Sequence, residues 1–181
     1  ADNAAVLPFT NRTAVADPLG NTSRYSYDAA GRVLTETDPD SRVTRRSYDA
    51  LGRPISRHDP RGTVVYYGYD ASGRRTQLGV YGQGTVYYRY NEVGRMVSVL
   101  DGKTDMETTY DYDPVGRVTL QAHPNGATTY FSYDLAGRLA EKTTKKNADA
   151  SVPVRFAYTR DAAGTPVVIE RETGLGVFYY E

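Results

Sequence analysis

Between residues 66 and 70 the chain reads YYGYD, and the same placement of rings returns at RYSYD (24–28), YYRYN (87–91), TYDYD (109–113) and YFSYD (130–134). In each, an aromatic residue stands two places before a tyrosine, so a period of two puts both rings on one face of a strand. Asp, Gly and Pro bound these segments. No stretch between breakers offers the ~11 residues of an average helix. The pattern predicts an all-β chain of short antiparallel strands joined as hairpins.

The punctuation is periodic. YDAAGR (27–32) returns as YDALGR (48–53) and YDASGR (69–74), and the tyrosine column runs Tyr27, Tyr48, Tyr69, Tyr90, Tyr112, Tyr133. Beside it run Asp28, Asp49, Asp70, Asp113 and Asp134, with asparagine once, at Asn91. Gly31, Gly52, Gly73, Gly94, Gly116, Gly137 and Gly164 form a third column, followed by Arg32, Arg53, Arg74, Arg95, Arg117 and Arg138. A seventh unit, YTRDAAGTP, carries Arg160 at the tyrosine position and Thr165 at the arginine position, after an irregular insert near 143–153. Half a period away stands a second mark: DPLG, DPDS and DPRG, more loosely YGQG, DGKT and HPNG. Several columns recurring together at about 21 residues mark a tandem array. Residues 1–181 read as one array of about seven hairpins, with both ends inside the repeat pattern.

Turn chemistry supports this division. An Asp opening a turn accepts backbone N–H groups two residues on, Gly supplies positive φ, and Pro presets φ at the second turn position. Tyrosines one hairpin apart lie about 9.6 Å from each other, too far to stack. The motif arginine is the candidate to fill that gap with its guanidinium over a ring. That gives an interleaved Tyr/Arg ladder fixing each hairpin against the last. A set repeated six times describes a scaffold better than six active sites, so no residue is assigned a catalytic, metal-binding or cofactor-binding role.

Composition changes this picture little. Charge is balanced, with 22 basic and 22 acidic residues, and no basic block marks a nucleic-acid partner. KTTKK (142–146) reads as a solvated loop in the insert. No cysteine is present, which removes disulfides and thiolate zinc. No apolar run reaches the ~18 residues of a membrane helix. His58 and His123 stand at turns without partners at ligand spacing, and the Asp-rich turns lack a calcium-loop pattern. Asn11-Arg-Thr and Asn21-Thr-Ser fit a glycosylation sequon that matters only in a eukaryotic secretory pathway. The first residue is Ala1, without initiator Met or leader, as in a processed product or a piece of a longer chain.

Y-D-x-x-G-R at 21 residues, with D-P-x-G between, resembles the YD repeats of the Rhs family over about residues 10–181. That family includes bacterial polymorphic toxins, cocoon subunits of insecticidal toxin complexes, wall-associated proteins and teneurins. The resemblance implies a long strip of hairpins that curls into the wall of a spiral shell around a toxin or effector. It also implies further YD repeats as partners, an exported or cell-surface location and no enzymatic activity. ETGLGVFYYE (172–181) loosely echoes the family's closing segment without its arginine-rich continuation. Two other readings use the same columns. Ring faces flanked by Asp, Asn and Arg would suit glycans, with avidity from repetition. Unpaired strip edges would suit a filament or tube joined edge to edge.

Overall fold

A computed structural model of the protein describes residues 13–146, 154–173 and 176–180. The described chain contains sixteen β-strands and no helix. It divides into two compact units, Ala1–Thr85 and Val86–Glu181. The first holds β1 (Ala14–Ala16), β2 (Thr22–Tyr27), β3 (Val33–Thr37), β4 (Val43–Tyr48), β5 (Pro54–His58), β6 (Val64–Tyr69) and β7 (Arg75–Val80). The second begins with β8 (Gly84–Tyr90), most of which it contains, then β9 (Met96–Asp101), β10 (Met106–Tyr112), β11 (Val118–Ala122) and β12 (Ala127–Tyr133). It continues through β13 (Leu139–Lys146), β14 (Val154–Arg160), β15 (Pro166–Thr173) and β16 (Gly176–Tyr180). Within each unit every strand pairs antiparallel with its neighbours in chain order.

Most turns share one backbone geometry. In the first YD turn the Gly31 N–H donates to the Asp28 carbonyl at 3.0 Å, and the Asp28 N–H to the Arg32 carbonyl at 3.0 Å. This is a three-residue hairpin loop, a type I turn closed by a left-handed residue, and Gly31 takes that place at φ +79°. The Asp-Pro turns repeat the same pair of bonds, as between Asp59 and Gly62 and between Asp59 and Thr63. In DPDS the left-handed place falls to Ser41, at φ +64°.

Beside each YD turn the pairing slips by one residue. Ser26 pairs with Thr35 but Tyr27 with Val33, leaving Leu34 as the extra residue of a bulge. The same slip recurs at Tyr48, Tyr69, Tyr90, Tyr112, Tyr133 and Arg160. The alternation pattern did not predict this. Adjacent apolar residues after the motif arginine (Val33-Leu34, Pro54-Ile55, Met96-Val97) are where the period of two breaks, and they mark the bulge.

The KTTKK segment is a strand, not a loop. Residues 142–146 continue β13 and pair along β12, where Lys145 lies opposite Thr128 and Thr144 opposite Thr129. The β-branched Thr143 and Thr144 favour extended backbone. The rest of the insert, 147–153, lies outside the described residues, as do Asn11 and parts of 172–181.

No apolar side chain among the described residues is fully buried; those that are buried are Thr44, Ser98, Thr128, Thr129 and Thr143. Cohesion therefore rests on backbone ladders and cross-strand pairs, each worth roughly 0.2–1 kcal/mol. Ser26 and Thr35 share a hydroxyl hydrogen bond of 2.6 Å, and Ser47 and Ser56 one of 2.5 Å. Tyr66 lies across its partner Gly79, on the space any side chain there would need, and its hydroxyl bonds that of Thr85.

Candidate functional site

The repeated residues build one small device at each YD turn. The aspartate begins it. Asp28 Oδ1 accepts the N–H groups of Ala30 and Arg32, each at 2.9 Å, and Oδ2 accepts Arg32 Nε at 2.6 Å. The same side-chain pair closes at 2.6 Å for Asp49/Arg53, Asp70/Arg74 and Asp113/Arg117, and at 2.7 Å for Asp134/Arg138. The arginine leaves its own turn already oriented, with Nε committed and its two terminal nitrogens free to reach onward.

They reach the next hairpin. The guanidinium of Arg32 lies over the Tyr48 ring, 4.9 Å from its centroid; Arg53 covers Tyr69 at 4.7 Å and Arg117 covers Tyr133 at 4.5 Å. Arg32 and Arg53 also donate to the carbonyls of Asp49 and Asp70, at 3.2 and 3.1 Å. The tyrosine answers in the opposite direction. Tyr48 donates its hydroxyl to the Val33 carbonyl, Tyr69 to Pro54, Tyr112 to Met96 and Tyr133 to Val118, at 2.6–2.9 Å. Each acceptor is the residue immediately after the preceding motif arginine. Burial pushes the Tyr112 phenol upward, which keeps it a donor.

The glycine column therefore has two duties. All seven motif glycines have φ between +79° and +97°. In addition, a Cβ at Gly52 would stand 3.2 Å from Arg32 Nη1, and one at Gly116 would stand 3.0 Å from Arg95 Nη2. The turns at Gly20 and Gly62, outside this column, have nothing within 4 Å.

Two repeats vary the device. At Asn91 an amide replaces the carboxylate: its Oδ1 accepts the Arg95 N–H at 2.9 Å, but it cannot form an ion pair. Arg95 sits farther from its ring, 5.7 Å from Tyr112, and bonds the carbonyls of Asp113 and Pro114 at 2.9 and 3.3 Å. In the seventh repeat Arg160 takes the tyrosine's part and donates Nη2 to the Leu139 carbonyl at 2.7 Å. Sequence reading registered that exchange only as a break in the column. Tyr27, Tyr90 and Arg74 hold the equivalent places in their own repeats.

Electrostatics tie the device to pH. Backbone N–H donation from the residue four places on holds Asp28, Asp38 and Asp134 below the usual carboxylate range, with the guanidinium adding to it and desolvation opposing. At Asp49, Asp70 and Asp113 desolvation is the largest single effect and acts upward, yet the N–H and guanidinium bonds together outweigh it and the net direction is down. A depressed folded pKa stabilises above the unfolded value and is lost as pH falls through the folded one. Thermal midpoints are thus expected to hold between neutral pH and about 5, then drop steadily below about pH 4. A midpoint flat down to pH 2 would remove the carboxylates from the account.

Among the described residues no group of three or more His, Asp or Glu side chains could hold a metal. His123 Nε2 lies 3.0 Å from Thr129 Oγ1, and His58 pairs across strands with Arg45.

Comparison with known proteins decides the lineage. The family model described as RHS Repeat matches residues 9–43, 27–64, 48–79, 90–128 and 112–152, well over half of the chain. The chain belongs to the RHS-repeat family. No curated protein sequence matches this RHS-repeat chain. Solved structures do. It is similar to a TcdB2-TccC3-Cdc42 structure at 18% identity and a TM-score of 0.68, over 88% of this chain and 9% of that one. A Tc holotoxin pore of Photorhabdus luminescens gives 19% identity, a TM-score of 0.69, and 88% and 9% coverage. A TcdB2-TccC3 structure gives 18%, 0.69, and 87% and 10%. These likenesses establish a shared fold, and the RHS-repeat chain spans about a tenth of those chains' length.

Proposed function

We propose that this RHS-repeat chain is a non-catalytic wall segment of an exported shell that encloses a toxin or effector polypeptide. The observation that carries the reading is the forward-reaching lock. In four joints one hairpin holds the next by a guanidinium on a ring and a phenol on a carbonyl, an arrangement that can be repeated indefinitely and that uses only groups of the repeat itself. The absence of a fully buried apolar side chain among the described residues agrees with a single layer rather than a self-contained globule. Likeness to toxin-complex chains about ten times longer supports a wall of which this is one stretch. In this role the motif Tyr, Asp, Gly and Arg residues set register and touch no substrate.

Glycan binding has less behind it. The faces of Tyr48, Tyr69, Tyr112 and Tyr133 that a sugar would stack on already carry a guanidinium.

The test is to isolate the native protein with an antibody against residues 13–146 and image it by electron cryomicroscopy. A closed hollow particle with these hairpins in its wall and polypeptide density inside is the expected result. An open strip, or a particle with no interior, would overturn the proposal.

A further inference from the structure

The joint between the hairpin β12–β13 and the hairpin β14–β15 is built unlike the others. Its backbone ladder is not short: four residue pairs join β13 to β14, against three joining β11 to β12. The difference lies in the side chains. Arg160 supplies the bond to the Leu139 carbonyl, but a guanidinium offers Arg138 no ring to lie on, and Arg138 rests instead on the space beside Gly164. Arg160 Nε is buried without a hydrogen-bond partner. Thr165, at the arginine position, gives Asp161 a backbone N–H at 2.9 Å but has no guanidinium to follow it.

What holds this hairpin from the opposite face is Arg155. Its guanidinium lies 3.0 Å from Glu141 on β13, and 3.4 and 3.9 Å from Glu170 and Glu172 on β15. Lys145 on β13 is the other charged side chain on that face nearby, and it acts on Glu141. Glu141 is oriented for the contact by the Thr143 hydroxyl, at 2.7 Å. The four members of the cluster are between 32% and 42% exposed.

We infer that this joint is an ionic clasp, in which the Arg155–Glu141 pair reinforces the ladder that holds the β14–β15 hairpin to the array and loosens when salt is raised, while ring-locked hairpins do not respond. Exposed ion pairs weaken as the Debye length shrinks to about 3 Å at 1 M salt. In a ring lock the only ion pair lies within one turn, and the phenol bonded to a carbonyl across the joint carries no net charge, so salt does not screen that bond away. The exchange of tyrosine for arginine at 160 moves this one joint from the second kind of attachment to the first.

Hydrogen exchange on the full chain at low and high salt tests this. Amides of residues 154–160 are expected to exchange about two- to fivefold faster at high salt, the span of an exposed ion pair lost to screening. Those of β6, held by the Arg53–Tyr69 lock, should stay unchanged. Arg155→Met should bring the low-salt rate up to the high-salt one and abolish the response. Arg160→Tyr, which gives Arg138 the ring that the other motif arginines meet, should slow exchange at high salt toward the rate of a ring-locked strand even if Arg155→Met fails to fold. An equal salt response in β14 and β6 would overturn the inference. So would an Arg155→Met chain that keeps the wild-type response.

Discussion

Replacing Gly52 by valine is expected to destabilise the chain by about 2–3 kcal/mol, through two separable costs. A β-branched residue at φ +83° carries the left-handed penalty of about 1–2 kcal/mol. Its Cβ would also stand 3.2 Å from Arg32 Nη1, so the guanidinium over the Tyr48 ring must give way by a few tenths of an ångström. Gly62→Val is the control, because Gly62 has the same backbone at φ +84° and nothing within 4 Å. The midpoint of urea unfolding should fall for both and clearly further for Gly52. Equal losses would mean the arginine's position over the turn contributes nothing.

Arg53→Ala is the second large effect, expected at about 2–3 kcal/mol. It removes the 2.6 Å pair with Asp49, the bond to the Asp70 carbonyl and the cover of Tyr69 at once. Arg53 and Asp49 are roughly a quarter exposed, so solvent screens the charge only in part. Lysine at this position keeps charge but not the planar fork, and should recover only part of the loss. Arg24→Ala, an exposed arginine on β2, should change stability by no more than about 0.5 kcal/mol. If all three variants unfold at the same urea concentration, the joint is not what holds consecutive hairpins together.

The hairpins could be read from residue order because their turns need particular residues: Asp28 to accept N–H groups, Gly31 to take positive φ, and Pro39 to hold its own φ near about −65°. The ring and guanidinium columns could be listed, but not their connection. That Arg32 meets Tyr48, and that Tyr48 answers on the Val33 carbonyl, depends on the one-residue bulge after each turn and on a main-chain acceptor with no side-chain signature. The KTTKK segment misled for a related reason. Its lysines suggest solvent, yet alternation leaves Lys145 and Lys146 extended beside β12 while Thr143 is buried. Arg155 gave no signal in sequence, because its three carboxylates come from strands on both sides.

Each ring lock joins an arginine to the tyrosine of the next repeat, and that tyrosine to the residue just after the arginine, so it uses groups that any copy of the unit already carries. A duplication of 21 residues would therefore insert a hairpin whose joints on both sides are complete on arrival, with no compensating change elsewhere. Errors stay confined in the same way. Arginine at 160, where other repeats carry tyrosine, leaves Arg117 and Tyr133 engaged one repeat away. Such a chain can lengthen by copying and diversify by local damage, so ancestry within it should be legible joint by joint.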